Sequence, residues 1–132
     1  MNAYRHVRPL ILCVDDQATG PQLDLFRRVL EVSGYAVLTA VNAFEALQIF
    51  RKKQPDVVLT EHIRIAPSGG TLAAIMKKLK PRVPVAIYSA DLAESPDDLR
   101  FADGFITKLV PVDELLSTLH GLLEKAWAAM AA

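Results

Sequence analysis

Five short apolar runs alternate with segments of helical periodicity along the 132 residues of this chain. The runs, at about 9–14, 36–40, 56–61, 83–89 and 104–107, predict β-strands. Segments at about 21–33, 43–53, 71–80, 96–102 and 112–129 repeat their apolar positions at three- and four-residue intervals and predict helices. Ile11-Leu12-Cys13-Val14 and Val57-Val58-Leu59 are unbroken rather than alternating, as strands buried on both faces must be. Strands that alternate with helices form βαβ crossovers, which gives an α/β fold with a parallel sheet covered on both sides.

Local signals agree. Asn42 followed by Glu45 has capping-box geometry, and Ala43, Ala46, Leu47 and Phe50 then recur on one helical face. Ser33-Gly34 closes the first helix, and Pro81 and Pro84 confine the entry to the fourth strand. Ser95, Pro96 and Asp97-Asp98 suit the N-cap, first position and first turn of a short fourth helix. In the last helix Leu115, Leu116, Leu119, Leu122, Leu123 and Ala126 make an apolar stripe. Gly121 inside that helix costs about 1 kcal/mol relative to Ala, and close packing is the expected reason for it.

Four strand-like runs end on polar chemistry. The first closes on Asp15-Asp16, the third on Glu61, the fourth on Ser89-Ala90 and the fifth on Lys108. Ligand sites of open α/β sheets gather at this C-terminal strand edge. In order and spacing the chain resembles the receiver domain of two-component response regulators, from the first strand through the last helix. The resemblance implies a flavodoxin-like, doubly wound sheet of five parallel strands in the order 2-1-3-4-5. Right-handed crossovers make that winding natural.

The resemblance also implies roles for these residues. In the family an aspartate at the end of the third strand accepts a phosphoryl group from a histidine kinase; here that position is Glu61. Asp15 and Asp16 match the acidic pair that, with the acceptor carboxylate, holds Mg²⁺, so Asp15, Asp16 and Glu61 form the candidate metal set. The alternative for the pair is a plain solvated turn. Ser89 matches the hydroxyl that bonds the phosphoryl group, and Lys108 matches the lysine that bonds a phosphoryl oxygen. Phe105 falls on the switch aromatic, although an aromatic in a buried strand also serves as simple core.

Glu61 keeps the charge of an aspartate and moves it outward by roughly one carbon–carbon bond. Phosphoryl transfer is mostly positioning and charge stabilisation, and a displacement of about 1 Å can cost ~10²-fold. The displaced carboxylate is expected to contact Lys108 and Ser89 and to copy the phosphorylated state in part, with one charge instead of ~1.5–2. The plainer reading is an inert ion pair with Lys108. Magnesium binding is expected to be weak, because the longer side chain disturbs an octahedral shell. Three further departures from the family stand at Arg64-Ile65, at Leu109-Val110 ahead of Pro111, and in the short stretch from Ser89 to Lys108. That short stretch puts the family's docking face, built on the fourth helix, fifth strand and last helix, in question.

Composition narrows the function classes. Fifteen basic and fifteen acidic residues cancel, whereas binders of nucleic-acid backbones carry a positive excess. Lys77, Lys78, Lys80 and Arg82 therefore read as a solvated helix end. Cys13 is the single cysteine, lies in an apolar run and reads as an inert buried thiol. His62 has no second His or Cys at zinc-ligand spacing. No apolar run reaches the ~18 residues of a membrane span. The expectation is one cytoplasmic receiver-like domain over 1–132, with its core at about 9–129 and no output domain in the chain.

The function expected is a non-enzymatic signalling module acting through protein contacts, with a histidine kinase or phosphotransfer protein and a separate output protein as partners. The alternatives are a receiver that is still phosphorylated with Mg²⁺ and, more distantly, a small phosphohydrolase of the haloacid dehalogenase type. That last family needs Asp-x-Asp after its first strand, whereas this chain offers Asp15-Asp16-Gln17. A dinucleotide site is excluded because no Gly-x-Gly-x-x-Gly follows the first strand.

Overall fold

In the computed structural model, residues 8–15, 21–61, 69–89, 100–108 and 110–131 are described. The strands are β1 Leu10–Val14, β2 Ala36–Ala40, β3 Val57–Thr60, β4 Val85–Ser89 and β5 Gly104–Thr107. The helices are α1 Pro21–Val32, α2 Ala43–Lys52, α3 Gly69–Leu79 and α4 Val112–Ala131. All four strand pairings are parallel and the order is β2-β1-β3-β4-β5. This is the flavodoxin-like winding expected.

The unbroken apolar runs are explained by two cores, one on each face of the sheet. Ile11 and Cys13 of β1 pack with Leu30 of α1 and with Leu119 and Leu123 of α4. Their neighbours Leu12 and Val14 pack on the other face with Phe50 of α2 and Leu72 and Met76 of α3. Successive strand side chains point to opposite faces, so a strand covered on both has no polar position to spare.

Asn42 caps α2 as expected, its side-chain oxygen accepting from the Glu45 N–H at 2.8 Å. Gly34, with φ of 103°, ends α1 in the left-handed region that glycine enters without a Cβ penalty. β4 starts at Val85 rather than at 83, because Pro84 has no N–H to give the ladder; its carbonyl accepts from Val58 N at 3.0 Å. The expected short helix at 96–102 lies outside the described residues except for Arg100 and Phe101, which are helical, and Ala102.

One expectation is corrected. No neighbouring heavy atom lies within 4 Å of where a Cβ on Gly121 would stand. Close packing therefore does not account for this glycine, which sits off the buried stripe of Leu115, Leu119 and Leu123.

The N-terminal edge of the sheet is closed by side chains. Asp103 accepts from Val85 N at 2.8 Å and from Lys77 Nζ at 2.9 Å, while its own N–H donates to the Val85 carbonyl at 2.7 Å. Lys80 donates to the carbonyls of Phe50 and Lys53 at the end of α2 and lies 4.9 Å from the centre of the Phe50 ring. Two of the four clustered cations thus serve helix ends and a strand start.

Candidate functional site

The C-terminal edge of the sheet brings together most of the residues singled out in the sequence. Asp15 follows β1, and its N–H donates to the Ala40 carbonyl of β2 at 2.9 Å. Glu61 follows β3 and donates from its N–H to Val14 of β1 at 2.8 Å. Lys108 follows β5 and donates from its N–H to the Ser89 carbonyl of β4 at 2.9 Å. Each functional side chain therefore hangs from a backbone that continues the sheet ladder by one hydrogen bond, which fixes where its Cα stands.

Lys108 Nζ donates directly to Oε2 of Glu61 and lies 3.9 Å from Oδ2 of Asp15. The three side chains are partly buried. One ammonium thus faces two carboxylates. The Glu61 carboxyl is pushed above its ordinary value by its burial and by the neighbouring Asp15, against the lowering pull of Lys108. Ser89 ends β4 and is buried at 3% exposure. Phe105 in β5 is partly buried beside Ile87 of β4. Asp16, His62, Arg64, Ile65, Ala90 and Leu109 lie outside the described residues.

Cys13 behaves as an inert thiol. Burial first, and then Asp15, push its pKa to about 12, so a thiolate is not available near neutrality.

Two residues were not singled out in the sequence. Thr60 is fully buried, and its hydroxyl donates to the Glu61 carbonyl at 3.0 Å, holding the turn from which the carboxylate projects. Tyr88 places its ring centre 5.5 Å from Lys108 Nζ and stacks on Phe26 of α1, with centroids 5.1 Å apart and ring planes 13° from parallel. Its hydroxyl is raised by burial, then by the charge of Glu61 and by Cys13. The sequence signal was strand alternation, since Ala86 faces the α1/α4 core and Tyr88 must share that face.

As a metal site, Asp15 and Glu61 offer hard oxygen donors of the kind Mg²⁺ takes, and Mg²⁺ commonly uses one or two carboxylates with waters completing its shell. Among the described residues, no group of three or more His, Cys, Asp or Glu stands together in a metal-binding arrangement. The donor types fit, and Lys108 holds one of the two carboxylates.

Comparison with known proteins agrees with this geometry. The family model described as response regulator receiver domain matches residues 11–120. The probable transcriptional regulator ycf27 of Porphyra purpurea is 32% identical over 124 residues, spanning 88% of this chain and 48% of the relative. The phosphate regulon transcriptional regulatory protein PhoB of Pseudomonas aeruginosa is 30% identical over 121 residues, spanning 87% of this chain and 52% of the relative. The chain thus spans about half the length of these relatives. A CheY-like receiver domain protein from Methanospirillum hungatei superposes with a TM-score of 0.80 at 26% identity, covering 92% of this chain and 98% of that one. The response regulator TrrA of Thermotoga maritima, solved in complex with Mg²⁺–BeF, gives 0.77 at 28% identity, covering 86% and 98%.

Proposed function

The chain belongs to the response regulator receiver domain family, the signalling module of two-component systems, and from that premise we propose that it is an atypical receiver in which Glu61 stands at the phosphoacceptor position and itself occupies Lys108. The observation that supports this reading is the direct contact of Lys108 Nζ with the Glu61 carboxylate. In a receiver this lysine serves the incoming phosphoryl group; here a side chain one methylene longer than aspartate already has it.

The consequences follow from charge and reach. A phosphoryl donor meets two carboxylates, Asp15 and Glu61, with their shared cation already spent. Bound Mg²⁺ would supply charge neutralisation, and it competes with Lys108 for Glu61, so its affinity is low. The Glu61–Lys108 pair copies part of the phosphorylated arrangement, with one negative charge where a phosphoryl group brings ~1.5–2. In this reading Asp15 and Asp16 are the remainder of the metal site, and Ser89 and Phe105 form the switch side of the pocket.

The module works without catalysis, through contacts with a histidine kinase or phosphotransfer protein and with an output protein. It does not bind nucleic acid through this domain and acts in the cytoplasm. Among the described residues, no helix is long and apolar enough to cross a membrane.

Incubation with acetyl phosphate and Mg²⁺ followed by intact-mass measurement tests the proposal. The unmodified mass is expected to persist. A stoichiometric gain of one phosphoryl group would show a working acceptor and overturn it.

A further inference from the structure

Lys108 reaches its two carboxylates from a long, flexible stem, and an aromatic ring also stands beside its ammonium. Besides Glu61 and Asp15 its ammonium has an aromatic face, Tyr88, at 5.5 Å, within the ~6 Å over which a ring quadrupole attracts a cation. Tyr88 is opposite Ile106 in the β4–β5 register, two residues before Lys108, so the ring and the amine leave adjacent strands on the same face. The ring is held in turn by its stack on Phe26. That stack ties the site to α1.

The geometry points to Tyr88 as the positioning residue for Lys108, and to α1, through Phe26, as the element that registers whether Lys108 is engaged. The inference rests on the reading of Lys108 as the cation of the receiver site; it does not depend on whether Glu61 accepts phosphate. If Lys108 leaves the carboxylates, the ring loses the charge above it and its packing against Phe26 is free to change. Conversely, a displacement of α1 carries Phe26 and Tyr88 with it and alters the surface on which the amine rests. Phe105 lies in β5 with its side chain on the opposite face from Ile106, so it takes no part in this route to α1.

Nuclear magnetic resonance of the whole chain, free of phosphate donors, tests this directly. In the parent, the Lys108 ε-methylene protons are expected to show cross-relaxation with the Tyr88 ring and an upfield ring-current shift. Lys80, over the Phe50 ring at 4.9 Å, is an internal control with its own shift. Tyr88→Phe keeps the Lys108 shift; Tyr88→Leu abolishes it and leaves that of Lys80 in place. Lys108→Met is expected to move the α1 amides around Phe26 in the parent, and to leave them unmoved when combined with Tyr88→Leu or Phe26→Leu. Phe26→Leu alone leaves an apolar side chain against the Tyr88 ring and is expected to keep the cross-relaxation between Lys108 and Tyr88, which separates the two halves of the inference and serves if Tyr88→Leu does not fold. Absence of cross-relaxation between Lys108 and Tyr88 in the parent overturns the positioning role. Equal α1 responses with and without Phe26 overturn the coupling. Acetyl phosphate labelling of the parent reports separately on Glu61, so either reading can fail while the other stands.

Discussion

Lys108 and Glu61, 47 residues apart and carried by β5 and β3, meet at the strand ends in a direct ammonium–carboxylate contact. The strand between them, β4, contributes the Ser89 carbonyl that accepts from Lys108 N–H and the Tyr88 ring beside the amine. The Lys108 ammonium is thus held by a carboxylate of its own chain.

Gly121→Ala is expected to stabilise the chain by about 1 kcal/mol, the difference between Gly and Ala in an exposed helix interior. Space allows it, since nothing lies within 4 Å of the added Cβ. Urea unfolding measures the change. Gly34→Ala is expected to move the other way, because its φ of 103° is strained for any residue with a Cβ.

Asp103→Ala is expected to cost about 1–3 kcal/mol, the usual result of leaving a buried donor unpaired, because Val85 N at the buried start of β4 loses its acceptor. Lys77→Met removes the partly exposed ion pair, worth under about 1 kcal/mol, together with the bonds of its Nζ to the Pro81 and Val83 carbonyls, and is expected to cost less than Asp103→Ala because no buried donor is left unpaired. The two denaturation midpoints rank the backbone bond above the salt bridge. The reverse order would assign the latch to Lys77.

Stability against pH reports on Glu61. Its carboxyl in the folded chain lies above the ordinary value, through burial first and Asp15 second. An acid raised by folding stabilises the fold fully below its unfolded pKa and loses that contribution as pH climbs through the folded one. Relative to Glu61→Gln, the parent therefore gains stability as pH falls from neutral, and the gain levels off below the ordinary carboxylate value of 4.5. Unfolding of both chains in metal-free buffer gives the difference curve. A curve that declines on acidification would mean that Lys108 outweighs burial and Asp15.

Most of the fold was legible because double-sided burial writes itself into unbroken apolar runs such as Ile11 to Val14, whose alternate members fill the two cores. Asn42 was legible because capping needs a short polar side chain next to the helix start. The convergence of Asp15, Glu61 and Lys108 was legible from their places at strand ends. Gly121 was misread because a glycine in a helix does not state its environment; its offset from the stripe of Leu115, Leu119 and Leu123 was the available clue. Tyr88 was missed because an aromatic in an apolar strand reads as core until its face and its neighbours across β5 and α1 are known.

The central claim is that Glu61, by its length, keeps the site from accepting phosphate, and Glu61→Asp tests it most directly. Shortening the side chain withdraws the carboxylate from Lys108 while Asp15 and Ser89 stay in place. With acetyl phosphate and Mg²⁺, intact-mass measurement is expected to show phosphoryl incorporation into Glu61→Asp and none into the parent. Recovery is expected to be partial, since the resemblance to the family also implies departures at Arg64-Ile65 and Leu109-Val110. Equal labelling of the two chains, or labelling of neither, would contradict the claim that Glu61 decides phosphorylation.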